Sequence, residues 1–169
     1  MRWHTELIVL LARLLRPILY VELGIRHCET FNAVIPYARR LIGVDTNNEC
    51  GSYIAPAPNV EFVNSSTLEF AATLRKPILI DMLFIDADHA KISVIEDFRM
   101  FFPYVANQGI ILFHDTFPGN EKQTRPNLSG TAYKAVETLA RVNDEYEMMT
   151  IPLSPGLTIC RKRKTQVAW

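Results

Sequence analysis

The chain has 169 residues, 49% of them hydrophobic and 21% charged, with Lys+Arg and Asp+Glu equal at 18 each. That length suits one domain, residues 1–169, and the balanced charge leaves no global field for nucleic acid or an anionic membrane surface. Three cysteines, Cys28, Cys50 and Cys160, are too few and too odd in number for a disulfide framework, and a reducing, cytoplasmic setting is the default.

The most apolar stretch, 7-LIVLLARLLRPILYVEL-23, is broken by Arg13, Arg16 and Pro17, so it is too short to span a membrane, and no small-residue cleavage site follows it. It reads as a short helix over residues 4–15 and then a buried strand, 18-ILYVELG-24. A helix from Thr30 to Arg39 leads to a second strand, 40-RLIGVDT-46, and residues 47–59, rich in Asn, Gly and Pro, form a loop. A third strand, 60-VEFVN-64, precedes Ser65 and Ser66, either a fair N-cap for the following helix with Glu69 close behind. The fourth strand is 78-ILIDMLFID-86; apolar spacing of three and four then predicts a helix over 89–106, before a fifth strand, 109-GIILFHD-115. The polar segment 117–130 is long enough for a lid or substrate loop, a helix covers 131–143, and residues 146–163 read as two strands joined by Ser-Pro-Gly. The basic run Arg161-Lys162-Arg163-Lys164 reads as a solvated strand end and tail.

Strand–helix alternation with nearly all-apolar strands predicts an α/β fold: a Rossmann-like, doubly wound, mostly parallel sheet with a C-terminal antiparallel hairpin. Such sheets bind ligands beyond the carboxyl ends of their strands. Glu22, Asp45, Asp86 and Asp115 all fall at or near strand ends, and the second, fourth and fifth strands place theirs on one rim.

Asp45, 21 residues after Gly24, stands where an acid accepts hydrogen bonds from ribose hydroxyls, although strand-end Asp residues also form turns. Gly24 lies at a strand-to-helix turn, but Arg26 and Cys28 occupy positions where a pyrophosphate cradle needs glycine, which argues against a nicotinamide dinucleotide. In 83-LFIDADHA-90, Asp86 and Asp88 are two apart on an extended segment and so are expected to point to one side. Together with His114 and Asp115 in 110-IILFHDT-116, they suit Mg²⁺, Mn²⁺ or a similar divalent ion, which would polarise a substrate hydroxyl. His89, close behind Asp86, is placed to take the released proton. Equally open for single residues is a structural role: Asp88 as an N-cap of the next helix, and His114 as a hydrogen-bonded strand-end histidine. Trp3 and Tyr133 are open as pocket-lining residues, while His4 and His27 show no partner set in the sequence.

The order 21-VELGIRHCET-30, 42-IGVDTN-47, 61-EFVNSST-67, 84-FIDADH-89, 109-GIILFHDT-116 and 154-SPGLTICRKR-163 resembles class I S-adenosylmethionine-dependent methyltransferases over residues 15–163. Among these the chain is most similar to metal-dependent small-molecule O-methyltransferases, of the catechol and especially the sugar and macrolide type. The resemblance implies that Glu22, Gly24 and Arg26 border the methionine part of the cofactor and that Thr30 meets its carboxylate. Asp45 would hold the ribose hydroxyls, Ser65 and Ser66 would lie at the adenine, and Asp86 would serve both cofactor and metal. Asp86, His114 and Asp115 match the metal-ligand positions, with Mg²⁺ the first expectation, and His89 matches the general base. The implied partner is a small hydroxylated molecule.

Cys28 replaces a glycine of the family's first motif and is expected to narrow the space near the cofactor; His114 replaces the usual Asp or Glu. The N-terminal segment that often shapes the substrate pocket is expected to be missing, and the apolar first helix makes a homodimer plausible. Two rivals stand beside this reading. Asp86-Ala87-Asp88 also fits the DxD of a metal-dependent glycosyltransferase using a nucleotide sugar, and a degenerate, non-catalytic cofactor-binding module is the other.

Overall fold

The computed structural model describes residues 2–141 and 144–163. Its helices and strands, in chain order, are α1 (Trp3–Leu15), β1 (Leu19–Leu23), α2 (Glu29–Val34), β2 (Arg40–Asp45), β3 (Val60–Asn64), α3 (Thr67–Thr73), β4 (Ile80–Ile85), α4 (Lys91–Phe101), β5 (Val105–His114), α5 (Ala132–Arg141), β6 (Tyr146–Ile151) and β7 (Leu157–Lys162). The strands form one sheet in the order β3-β2-β1-β4-β5-β7-β6. β1 to β5 run parallel; β7 pairs antiparallel with β5, and β6 with β7, so the expected hairpin forms the edge.

The sheet is covered on both faces, which is why its central strands read as continuous apolar runs. All five residues of β1 are buried, and they alternate between two cores. Leu19, Val21 and Leu23 pack with Phe70 of α3, Phe98 of α4 and Leu139 of α5. Tyr20 faces the other way, with Ile8 of α1, Phe31 of α2 and Met82 of β4. Each such fully buried side chain contributes about 1.5–3 kcal/mol of transfer free energy.

Element boundaries depart from expectation where proline sits. The helix expected over 89–106 stops at Phe101 and passes through a 3₁₀ turn, Phe102–Tyr104, because Pro103 has no N–H to donate and its ring crowds the preceding turn. β5 therefore begins at Val105, four residues earlier than expected, and the register slips between Ile80 and Met82 of β4 to absorb the extra residues. Pro36 shortens the helix expected to reach Arg39 in the same way, leaving α2 and a 3₁₀ turn, Ile35–Tyr37.

Ser66, not Ser65, caps α3: its side chain accepts from Glu69 N–H while Glu69 reaches back to Ser66 N–H, a capping box. The expected loop 47–59 contains a 3₁₀ segment, Asn48–Tyr53. The expected end of the helix over 131–143, and Lys164 of the basic run, lie outside the described residues. Arg161 of that run pairs with Glu147 across the hairpin, and Lys162 Nζ donates to Val105 C=O at 2.6 Å, so these two are held rather than merely solvated. Among the described residues no helix is long and apolar enough to cross a membrane.

Candidate active site

β1, β2, β4 and β5 end on one rim, and their last residues or first loop residues build the site. Gly24 leaves β1 with φ +84, in the left-handed region that glycine enters freely. A Cβ there would lie 2.4 Å from the backbone oxygen of Asp86, so glycine is also what lets the loops after β1 and β4 touch. Gly24 N–H donates to Val44 C=O and Asp86 N–H donates to Leu23 C=O, locking the two loop starts to the sheet.

Asp86, His114 and Asp115 converge at this rim. His114 Nδ1 lies 2.9 Å from Asp86 Oδ1 and 3.2 Å from Asp115 Oδ2. Consecutive residues of a strand face opposite sides, so His114 and Asp115 should diverge. They do not, because Asp115 turns into the left-handed region at φ 59, a conformation that Asp tolerates better than most residues. His89 Nε2 stands 3.5 Å from Asp86 Oδ1 and 3.3 Å from Asp115 Oδ2. Its Nδ1 faces Leu128 C=O, and Thr131 N–H donates to His89 C=O at 2.8 Å, so the end of the 117–130 loop orients this ring.

The electrostatics follow from this crowding. Burial opposes the charged forms of Asp86 and Asp115, yet the imidazoles beside them hold both carboxyls below the usual range. The hydrogen bond to Asp86, against burial, raises His89 to about 9. Burial lowers His114, but Asp86 and Asp115 outweigh it and raise the ring to about 10. Glu22, buried and accepting from Tyr20 O–H at 2.5 Å, is pushed up to about 8 chiefly by desolvation.

Two cavities open beside these groups. The larger, about 650 Å³, is bordered by Glu22, Gly24, Arg26, Thr30, Asp45 and Asp86, together with His89, His114 and Asp115. The smaller, about 570 Å³, is bordered by Asp45, Ser65, Ser66 and Ala87. Asp45 and Ala87 border both, so the cavities meet at the end of β2. Every residue expected from the sequence to bind cofactor, metal or proton thus lies on this continuous rim.

Several details differ from expectation. Asp86 and Asp88 do not face one side: Asp86 borders the larger cavity and Asp88 the smaller, where it accepts from Ala90 N–H at 3.1 Å and Ser93 O–H at 2.6 Å at the start of α4. Asp88 takes a structural role but not as the N-cap, which is Ala90 without a side-chain cap bond, and the paired-acid geometry of a DxD motif is not formed. Cys28 does not crowd the cavity: it is fully buried, its Sγ faces Cys50 C=O at 3.4 Å, and burial pushes the thiol up to about 12. It does hold a left-handed backbone, φ 59, at the start of α2, a conformation that glycine enters more freely. Thr30 Oγ1 is already hydrogen-bonded to Thr5 Oγ1 at 2.9 Å, and Asp45 already accepts from Arg26 N–H and Asn47 N–H. Trp3 reaches the turn between β6 and β7, donating to Ser154 C=O at 3.0 Å.

Three residues have no signal in the sequence. His4 of α1 places Nδ1 3.3 Å from His114 Nε2, and burial together with His114 lowers it to about 4. Ser129 donates to Asp115 Oδ1 at 2.7 Å. Asp97 of α4 borders the smaller cavity and is raised to about 6 by burial, with the Thr67 hydroxyl opposing.

A sheet of this strand order, with two adjoining cavities along its C-terminal rim, has the architecture of a class I S-adenosylmethionine-dependent methyltransferase. The chain belongs to the methyltransferase-domain family, whose model matches residues 21–116, from β1 to the end of β5. No curated protein matches it in sequence. Solved structures share the fold at low identity. The O-methyltransferase TomG from Streptomyces achromogenes, involved in tomaymycin synthesis and solved with S-adenosylmethionine, is 18% identical with a TM-score of 0.78, covering 94% of this chain and 79% of its own. The methyltransferase PaMTH1 from Podospora anserina, bound to S-adenosylhomocysteine, is 16% identical with a TM-score of 0.80, covering 96% and 79%. An O-methyltransferase from Bacillus cereus in complex with S-adenosylhomocysteine is 12% identical with a TM-score of 0.78, covering 96% and 82%.

Proposed function

We propose that this methyltransferase moves the methyl group of S-adenosylmethionine to a hydroxyl of a small molecule, a sugar, phenol or other natural product, with a divalent metal held by Asp86, His114 and Asp115. The observation that carries this is the convergence of those three side chains, whose donor atoms lie within 4.8 Å of one another, beside a trough bordered by Gly24 and Asp45. The donor set fits a cation: bonds of about 2.1 Å place neighbouring octahedral ligands about 3.0 Å apart, close to the 2.9 and 3.2 Å between His114 Nδ1 and the two carboxylates.

The methionine end of the cofactor would lie along Glu22, Gly24, Arg26 and Thr30, the ribose at Asp45, and the adenine in the smaller cavity by Ser65 and Ser66. Asp45, shared by both cavities, suits the middle of such a ligand. Methyl transfer is an in-line displacement: the acceptor oxygen forms an O–C bond, the C–S⁺ bond breaks, and S-adenosylhomocysteine leaves. Its main demands are alignment of the two partners and an oxygen nucleophile stripped of its proton. His89, with Nδ1 turned to Leu128 C=O and Nε2 toward the cavity, accepts that proton. A bound divalent ion would lower the pKa of the hydroxyl facing it and offset the carboxylates that raise His89, returning that ring to its proton-accepting form.

The loop from residue 117 to 130 contributes Gln123, Asn127, Leu128 and Ser129 to the wall, so the acceptor would sit beneath it. Leu10, Leu14 and Leu15 of α1 stay exposed, which favours a homodimer. Buried, unpaired Cys28, Cys50 and Cys160 suit a cytoplasmic setting.

The test is calorimetry of the purified chain with S-adenosylhomocysteine, followed by methylation assays over hydroxylated acceptors with added metal or with EDTA. Binding and metal-dependent methyl transfer are expected. No binding at millimolar cofactor product would remove the proposal, and activity unchanged by EDTA would remove its metal.

A further inference from the structure

Three consecutive residues at the start of α1 each reach a different part of the rim. Trp3 bonds the β6–β7 turn, Thr5 bonds Thr30 of α2, and between them His4 meets His114. His4 and His114 are 4% and 9% exposed, with ring centroids 4.2 Å apart. The contact is therefore a placed one: α1 is tied down on both sides of His4, and the residue bonded to it is one of the three proposed metal ligands.

The nitrogens that face each other, His4 Nδ1 and His114 Nε2, can share only one proton at 3.3 Å. If His4 donates, His114 Nε2 accepts, and the neutral His114 ring must carry its proton on Nδ1, the nitrogen between Asp86 and Asp115. No cation can then bind that nitrogen. If His4 accepts, His114 is held as the Nε2–H tautomer, and the Nδ1 lone pair is free between the two carboxylates. A neutral ligating histidine needs an outer acceptor for its second N–H, and here the acceptor is another imidazole from α1.

Building on the metal reading above, the geometry points to His4 as the positioning residue that fixes which nitrogen of His114 is presented, and to a first-row transition dication, rather than Mg²⁺, as the preferred ion. Carboxylates and water suit Mg²⁺, whereas an imidazole nitrogen shifts preference along the series toward Fe²⁺, Co²⁺ and Zn²⁺. His114 puts one such nitrogen into the set, and His4 ensures that it is a donor.

Calorimetry of Co²⁺ and Mg²⁺ on the metal-free full chain tests this. Wild type is expected to bind Co²⁺ at least tenfold more tightly than Mg²⁺. His4→Leu, which fills the space without an acceptor, is expected to weaken Co²⁺ about 10–100-fold. His4→Asn, whose Oδ1 accepts from Nε2–H, is expected to recover most of the loss. Mg²⁺ bound as tightly as Co²⁺ by wild type, or His4→Leu matching wild type for Co²⁺, overturns the inference. Should His4→Leu not fold, ¹⁵N spectra of the wild-type histidines with Zn²⁺ decide: His114 is expected to read as Nε2–H with Nδ1 bound, and the opposite tautomer overturns it. Neither ion binding wild type while S-adenosylhomocysteine still binds would instead remove the metal from the proposed function, a separate failure.

Discussion

Asp86 Oδ1 stands 2.9 Å from His114 Nδ1, although 28 residues separate them. β4 and β5 are parallel neighbours, with Ile85 paired to Phe113, so the residues just beyond that pair meet on the rim. The site is thus a consequence of strand register: a slip of one residue between β4 and β5 would move one of these side chains to the opposite face.

Removal of the rim groups should separate chemistry from cofactor binding. His89→Gln is expected to lower kcat about 10²–10³-fold while S-adenosylhomocysteine binds nearly as before. Asp86→Ala is expected to lower activity at least as far and to abolish metal binding. Steady-state kinetics paired with calorimetry check both; a His89→Gln enzyme with wild-type kcat would remove the general base from this position.

The metal-free protein should lose stability as pH rises. His89 and His114 are raised to about 9 and about 10, so their contribution is full below about 6.5, the unperturbed value, and is lost as pH passes through the folded values. Glu22, held up at about 8 by burial, works in the same direction, because its protonated form is favoured in the folded state. Scanning calorimetry in EDTA is expected to show a Tm roughly 5 °C or more lower at pH 10 than at pH 6.5. The His89→Gln variant should show a smaller drop.

Gly24→Ala should be poorly tolerated. Its Cβ would fall 2.4 Å from Asp86 O and 2.6 Å from Ala87 Cα, both backbone atoms, at a φ of +84. A loss of roughly 2–4 kcal/mol is expected from strain and displacement of the β4 loop, read as a shifted urea midpoint. Weaker S-adenosylhomocysteine binding should accompany it, since Gly24 itself borders the cavity proposed for the methionine end.

Ser66→Ala should cost about 1 kcal/mol, the worth of a helix N-cap. Ser66 Oγ accepts from Glu69 N–H at 3.2 Å and donates to Glu69 Oε2 at 2.7 Å, so its hydroxyl is committed to the start of α3. Chemical denaturation measures the loss.

Ser129→Ala deletes a buried donor to Asp115 Oδ1. About 1–3 kcal/mol of stability should go with it, because that carboxylate oxygen is then left without its hydroxyl partner. In the metal-free protein the expected readout is again the urea midpoint.

Most of this protein's fold was legible in its sequence, because the signals are local. Apolar runs of strand length, alternating with helix-period segments, determine a covered parallel sheet, and Ser-Pro-Gly marks the final hairpin. The rim acids Asp45, Asp86 and Asp115 were legible for the same reason: each ends an apolar run, and the ends of parallel strands share an edge. Where local signals competed, the periodic pattern of 89–106 masked Pro103, which ends α4 and hands Val105 to β5.

What only the tertiary structure decided is which of these side chains touch. Spacing alone aligns Asp86 with Asp88, but hydrogen bonding to Ala90 N–H and Ser93 O–H draws Asp88 into the start of α4. Alternation alone sends His114 and Asp115 apart, but one left-handed residue turns them together. His4 lies 110 residues from His114 and carries no mark of its role, since its place is set by how α1 packs on the sheet. Local sequence governs backbone conformation and therefore which strand ends form a rim; contacts between distant side chains depend on packing and register, which no local pattern encodes.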